Sequence, residues 1–475
     1  MTSSVRQLVA RGSGETARHP RTPTPTPVVT LTFLLLVAAS ATALTTPSRQ
    51  PTVLLCSGIT AALCLVLIAT QSSGRLASPL TLCCIVIGLS YVLRPVVLAE
   101  RTATESLATL FDRNDLSEPA MIATGFCVAF TLGVLYPRVA NSRTSDNLPV
   151  QALTHTVRVN PIAGVVAASM ALLFLLYTFR ITGFTLAGAF SDPALFRAAA
   201  NKGGLFYLSG VTVALSWVPY WGLLVTNARA RHLVTPMLVV SLLFGMVVTF
   251  PFGQRTYFMA PILGLIAVYE LTRRTIKAKA ILPLALGGIA AFGAYTTFRA
   301  NQGASVSAAN VYSLNSATED FSGRFDAFDF WAQTYQTFGG EWLFGRSLYD
   351  LALQPIPRIW FPLKPSQTSA YLVSLQQPDV GRSFTPEYGL VTELYINGAL
   401  FAVLVGAVLV GWAFVRFDSA LTPIIVATPT KAFLMLPFIS FPAQWLLGGI
   451  NSFTTVSFVL FFLVLLPFSR WSFRS

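Results

Sequence analysis

Runs of about 20 apolar residues recur along the whole chain, and a run of that length crosses roughly 30 Å of hydrocarbon as a helix, with its backbone groups satisfied internally. Twelve candidates are read, at approximately 28–45, 51–70, 79–99, 120–136, 162–181, 205–226, 234–252, 257–271, 280–298, 394–415, 432–447 and 453–468. Residues 421–428, near Pro423 and Pro429, either lengthen the tenth candidate or form a short segment of their own, so eleven and thirteen are the neighbouring counts. Composition agrees: 54% of the 475 residues are hydrophobic and 11% charged, and the mean hydropathy is +0.64. Ordinary soluble proteins carry roughly a quarter charged residues, so the expectation is an all-α integral membrane protein of about twelve spans.

Polar chemistry of the familiar soluble kinds is sparse. The five cysteines, Cys56, Cys64, Cys83, Cys84 and Cys127, all fall inside expected spans and read as small apolar residues. His19, His155 and His232 are scattered, without the spacing of a ligand set, so no metal and no cofactor is expected.

Lys and Arg that flank a span resist translocation, and here they gather in alternate connections. With the N-terminus inside, the cytoplasmic segments hold 18 cations against Glu15, Asp146, Glu270 and Asp418, a balance of +14, and the outer segments sum to −1, which recovers the total of +13. The basic character is therefore a topology signal and not a nucleic-acid footprint. The organisation that follows is a disordered, basic cytoplasmic tail (1–27), nine spans (28–298), a large extracytoplasmic loop (299–393), three spans (394–469) and a cytoplasmic tail (470–475). An alternative reading of the start is a secretory signal ending near Ala41-Thr42-Ala43, whose removal would leave eleven spans and an outside N-terminus.

The outer loop is too rich in aromatics for disorder, with nine between Phe321 and Phe344. Within it Phe325, Phe328, Ala332 and Tyr335 share a helical face, which predicts an amphipathic helix on the outer membrane surface, opened by Ser322-Gly323. Its rings would serve as interface anchors or as a platform for sugars. A second outer connection, 182–204, predicts a helical turn at Leu186 and Phe190 and a restart after Pro193, with Leu195, Phe196 and Ala199 on one face and Arg197 on another. A third, between Glu100 and Glu118, is acidic and reads as a solvated loop.

Cations placed outside against the charge bias ask for anionic partners or for snorkelling positions. Arg94, Arg180, Arg197, Arg255, Arg299, Arg324, Arg358, Lys364 and Arg382 form that set. A guanidinium keeps its charge in low dielectric and offers two parallel donors to phosphate oxygens. The stretch PIPRIWFPLKP (355–365) holds Arg358 and Lys364 between four prolines that fix backbone angles, with Trp360 and Phe361 suited to the interface; a plain proline-rich connector is the other reading. With no outer histidine expected, Glu387, Glu393, Asp326 and Asp329 are the candidate proton acceptors for a hydroxyl nucleophile.

This order of features, many spans, a large outer loop near the C-terminal end, PIPRIWFPLKP, GRSFTPEYG (381–389) and TELYINGALF (392–401), resembles the Wzy-type oligosaccharide repeat-unit polymerases, or O-antigen polymerases. The resemblance covers residues 343–401, with weaker similarity at 190–208 and around Arg255. It implies a GT-C-like membrane glycosyltransferase of the bacterial plasma membrane, both termini cytoplasmic, that joins undecaprenyl-diphosphate-linked oligosaccharides on the outer face. On that footing Arg197, Arg255, Arg324, Arg358, Arg382 and Lys364 would hold the diphosphates, with Arg358 and Arg382 stabilising the leaving group, and Glu393 or Glu387 would orient or deprotonate the acceptor hydroxyl. Implied partners are membrane lipids, a flippase and a chain-length regulator. The related O-antigen ligases carry an outer-loop histidine that this chain lacks, and the first outer loop, 46–50, lacks the acidic residue of many GT-C enzymes. A flippase or transporter for lipid-linked sugars is the reading from another class, though no repeat relates the two halves, and a scaffold in a polysaccharide export complex is a third.

Overall fold

The structure, a computed structural model, describes residues 51–69, 77–100, 116–140, 158–191, 193–200, 205–230, 232–252, 255–272, 327–340, 342–353, 356, 361, 371–372, 388–449 and 453–473. All regular structure among them is helical. In chain order the α-helices are α1 (Pro51–Ala69), α2 (Pro79–Gly88), α3 (Arg94–Glu100), α4 (Ser117–Ala140), α5 (Pro161–Thr182), α6 (Leu186–Ser191), α7 (Pro193–Ala200) and α8 (Leu205–Arg229). They continue with α9 (Pro236–Thr249), α10 (Arg255–Thr272), α11 (Ala327–Thr337), α12 (Arg346–Leu353), α13 (Gly389–Ala427), α14 (Pro429–Met435), α15 (Phe441–Gly448) and α16 (Phe453–Ser472). A π turn, Leu89–Leu93, joins α2 to α3.

Among the described residues six segments are long and apolar enough to cross a membrane: α1, α2 with α3, α4, α5, α8 and α13. Residues Pro236–Phe252, Ala260–Thr272 and Val459–Ser472 are shorter apolar helices at expected span positions. The expected spans at 28–45 and 280–298 lie outside the described residues. The expected single span over 432–447 is instead α14, a 3-10 turn (Leu436–Phe438) and α15. Pro437 and Pro442 explain the break, since each removes an amide donor and crowds the preceding turn.

Helix starts on the side read as cytoplasmic share one device. Ser78, Asn160, Thr235 and Thr428 each cap a helix through the side-chain oxygen, accepting from the amides of Thr81, Ile162, Leu238 and Lys431, and each is followed by a proline at the first helical position. The caps satisfy amides that would otherwise be orphaned, and proline sits where no amide is needed.

Among the described residues the helices build two large hydrophobic cores, beside a small cluster of Leu372, Tyr388 and Ile396. One gathers α5, α8, α9, α10, α14 and α16 around Trp217, Tyr220, Trp221 and Phe433, and the short helices α6 and α7 cover its end through Phe196. The other gathers α1, α2, α4, α11, α13 and α15 around Phe126, Phe130, Phe328 and Trp331, with Leu82 packed against both. The tightest approach is between α4 and α13, where a Cβ at Gly411 would collide with the Phe130 carbonyl oxygen and one at Gly133 with that of Val408. Helices that lack a hydrophobic driving force between them in lipid rely on such small-residue contacts. Replacing Gly411 by Leu forces these two helices apart, and thermal unfolding in detergent should show a loss of about 1–3 kcal/mol or more.

Candidate functional site

The chain crosses back and forth so that the end of α3 and start of α4, the end of α5 and start of α8, the start of α10, the end of α15, the helices α11 and α12 and the start of α13 all fall at one end of the bundle. That end carries the candidate site. Its base is the π turn, which places Tyr91 beneath the N-terminus of α13, where a Cβ at Gly389 would lie 3.0 Å from the Tyr91 hydroxyl.

Arg94 follows immediately and is buried; its Nε donates to Oδ1 of Asp329 at 2.8 Å while Nη2 pairs with Oδ2. This fork ties α11 to the bundle. Two further bonds reinforce it: Trp331 Nε1 donates to the Pro119 carbonyl at 2.8 Å, and the Tyr335 hydroxyl donates to Glu118. Phe328, Trp331 and Ala332 are fully buried. The expected surface helix of the outer loop is therefore a helix packed into the protein, and its aromatic face is core rather than a membrane anchor. Asp329, one of the candidate proton acceptors, is the partner of Arg94, and Arg94, one of the candidate anion-binding cations, is occupied by it.

Above α11 the rings of Trp331, Tyr335, Tyr395, Trp342 and Phe338 pack edge to face with centroids 4.9–5.7 Å apart. They join the loop to α13. Asn397 makes the polar counterpart of that junction. Its amide nitrogen donates to the Glu393 carbonyl at 2.7 Å and to Ser347 Oγ at 2.8 Å, its oxygen accepts from Gly345 N at 2.9 Å, and Leu343 N donates to Ile396 O at 2.8 Å. Just beyond Asn397 the helix is interrupted, Gly398 being extended and Ala399 having φ +54°. The first limb, 389–397, is thus set apart from the long apolar limb that follows.

Glu393 projects from this first limb and is 1% exposed. Tyr388, 2% exposed, stands beside it, and Asp350 on α12, 6% exposed, is near enough to Tyr388 for its charge to be felt there. Burial pushes the Tyr388 phenol well up, and the Glu393 and Asp350 carboxylates push it further, so this side chain remains a neutral hydroxyl. Its oxygen and that of Thr392 are buried with no hydrogen-bond partner among the described residues. Gly449, at φ +73°, closes the node: a Cβ there would collide with Oε2 of Glu393 and lie 3.0 Å from the Tyr388 ring. The arrangement is a water-shielded carboxylate with a hydroxyl and a second carboxylate beside it, the setting in which a side chain can take a proton from a bound alcohol.

Two expected diphosphate-binding arginines come to the same end of the other core. Arg197 lies on α7, where neighbouring Phe196 rests on Phe179, Phe184 and Phe252, and Arg255 opens α10 three residues after Phe252. Arg324, Arg358, Lys364, Arg382 and Glu387, with Asp326, lie outside the described residues. Asp350, Ser347 and Gly449 escaped the sequence reading. The signal for the first two was present, since Ser347 and Asp350 are spaced i, i+3 and so share one side of a helix whose other side is apolar. Among the described residues no cluster of three or more His, Cys, Asp or Glu is placed to hold a metal ion.

No family model, no curated protein and no solved structure matches the chain.

Breaking the Arg94 fork tests its weight. Arg94→Ala leaves Asp329, whose side chain is 19% exposed, without its partner, and stability should fall toward the low end of the roughly 3–5 kcal/mol typical of a broken buried pair. Arg94→Met combined with Asp329→Leu should recover most of that loss in the same thermal unfolding assay.

Proposed function

We propose that the chain is a membrane glycosyltransferase that polymerises polyprenyl-diphosphate-linked oligosaccharides at the outer face of a bacterial plasma membrane, with a GT-C-like architecture of about twelve spans. The observation that carries this reading is the shielded Glu393 in the stretch 343–401, the stretch whose sequence resembles the repeat-unit polymerases. Its flanks, Leu343 and Gly345 on one side and Ile396 and Asn397 on the other, are hydrogen-bonded to each other, so the two ends of the resembling segment form one unit around the carboxylate.

In the reaction, a hydroxyl oxygen of the incoming lipid-linked repeat forms a bond to the anomeric carbon of the growing chain. The bond from that carbon to the lipid diphosphate breaks, the electron pair leaves with the diphosphate, and the hydroxyl proton passes to a carboxylate. Glu393 is the proposed acceptor, Glu387 being the alternative, and Tyr388 and Asp350 position it. Arg358 and Arg382 would stabilise the departing diphosphate, and Arg197, Arg255, Arg324 and Lys364 would hold the two lipid head groups. Membrane lipids, a flippase and a chain-length regulator are the proposed partners.

Single substitutions separate this role from transport. In cells making the polymer, Glu393→Gln should lower chain extension about 10²-fold, and Arg358→Ala or Arg382→Ala about 10²–10³-fold, with single repeats still arriving on the outer face and protein levels unchanged. Accumulation of repeats on the inner face would overturn the polymerase reading in favour of a flippase. Gly449→Ala, which crowds Glu393 directly, should reduce extension in the same way, whereas Gly339→Ala, at an open and exposed position, should not.

A further inference from the structure

Among the described side chains of α12 the buried ones are polar, Ser347 and Asp350, while Leu348 is 56% exposed and Tyr349 54%. Phe344, in the turn that precedes α12, is 82% exposed. Phe344 also has φ +41°, a backbone region that side chains other than glycine rarely adopt. The turn is fixed there by the bonds from Leu343 N to Ile396 O and from Gly345 N to the Asn397 side chain.

Those two bonds also set its place. The apolar segment Gly389–Leu421 is 33 residues long, more than the roughly 20 that hydrocarbon requires. Ile396 and Asn397, to which the turn is bonded, lie inside that apolar segment, so the Phe344 turn sits beside its first limb. After that limb the exposed side of α13 continues as Leu400, Phe401, Leu404, Val405, Val408 and Leu409. That stripe is the side of a spanning helix that faces acyl chains, and the exposed apolar residues of α12 belong to a helix bonded, through Ser347 and Asn397, to the start of the same segment.

We infer that Phe344, Leu348 and Tyr349 are a lipid-docking surface, with α12 lying in the outer-leaflet interface, its apolar side on acyl chains and its Ser347–Asp350 side walling the carboxylate node. The occupant is the bilayer itself, and the inference holds whether or not the chain joins sugars.

The test uses full-length protein in phosphatidylglycerol–phosphatidylethanolamine vesicles, with F344C and L348C each labelled by an environment-sensitive NBD probe; the five native cysteines are buried. Lipids carrying a nitroxide at a shallow acyl position should quench both probes more strongly than aqueous iodide does, with blue-shifted emission, while a G339C control on an exposed part of the loop should respond to iodide. Dominant iodide quenching at both positions would make the face solvent-exposed and overturn the inference. Resistance to both quenchers would mean that protein, a second copy or another part of this chain, covers it, and would overturn it equally. Since Phe344 occupies a special backbone conformation, L348C carries the test if F344C does not fold.

Discussion

The fork between Arg94 and Asp329 is the interaction on which the outer half of the molecule depends. It joins a cation inside an apolar segment to a carboxylate on α11, 235 positions away, and so makes α11 part of the bundle. Two charges removed from water are costly unless they meet in good geometry, and here the π turn supplies that geometry by setting Arg94 at the required height and rotation. Once α11 is held, Trp331 and Tyr335 carry the aromatic contacts to Tyr395 and Trp342, and α13 can present Glu393 at a fixed place.

Around Glu393 the logic is exclusion. Tyr388, Thr392, Asp350 and Gly449 occupy the space that solvent would otherwise take, and the glycine is needed because any larger residue would meet the carboxylate itself. A polar node inside an apolar shell is expensive to maintain, and proteins keep such nodes where chemistry or binding uses them. The interruption at Gly398 and Ala399 belongs to the same economy of structure: it ends the first limb where Asn397 must reach across to α12.

Sequence patterning revealed what depends on local periodicity. The apolar runs at 51–70, 79–99, 120–136, 162–181 and 205–226 are helices within a few residues of their expected ends, and the break before Pro193 separates α6 from α7 as expected. Glu393 was legible as a candidate proton acceptor, four residues into the stretch that opens the tenth apolar run. What could not be read was long-range pairing. Arg94 and Asp329 are 235 positions apart, and nothing local distinguishes a guanidinium awaiting a phosphate from one that already has a carboxylate. For the same reason the aromatic face of α11 looked like a membrane anchor, since buried and interfacial rings have the same spacing. The division of α14 from α15 was signalled by Pro437 and Pro442 but masked by the continuous apolar character around them.

The second core takes α1, α2 and α4 from the early part of the chain and α13 and α15 from its end. A ribosome adding about 5–20 residues per second needs roughly tens of seconds to pass from Ala140 to Gly389. For that interval the groove of α4 that will receive α13, with Gly133 at its floor, waits for its partner, and the first core waits longer still, since it is completed by α14 and α16. The carboxylate node needs Gly449 as well, so a nascent protein cannot acquire it until almost the whole chain has been inserted.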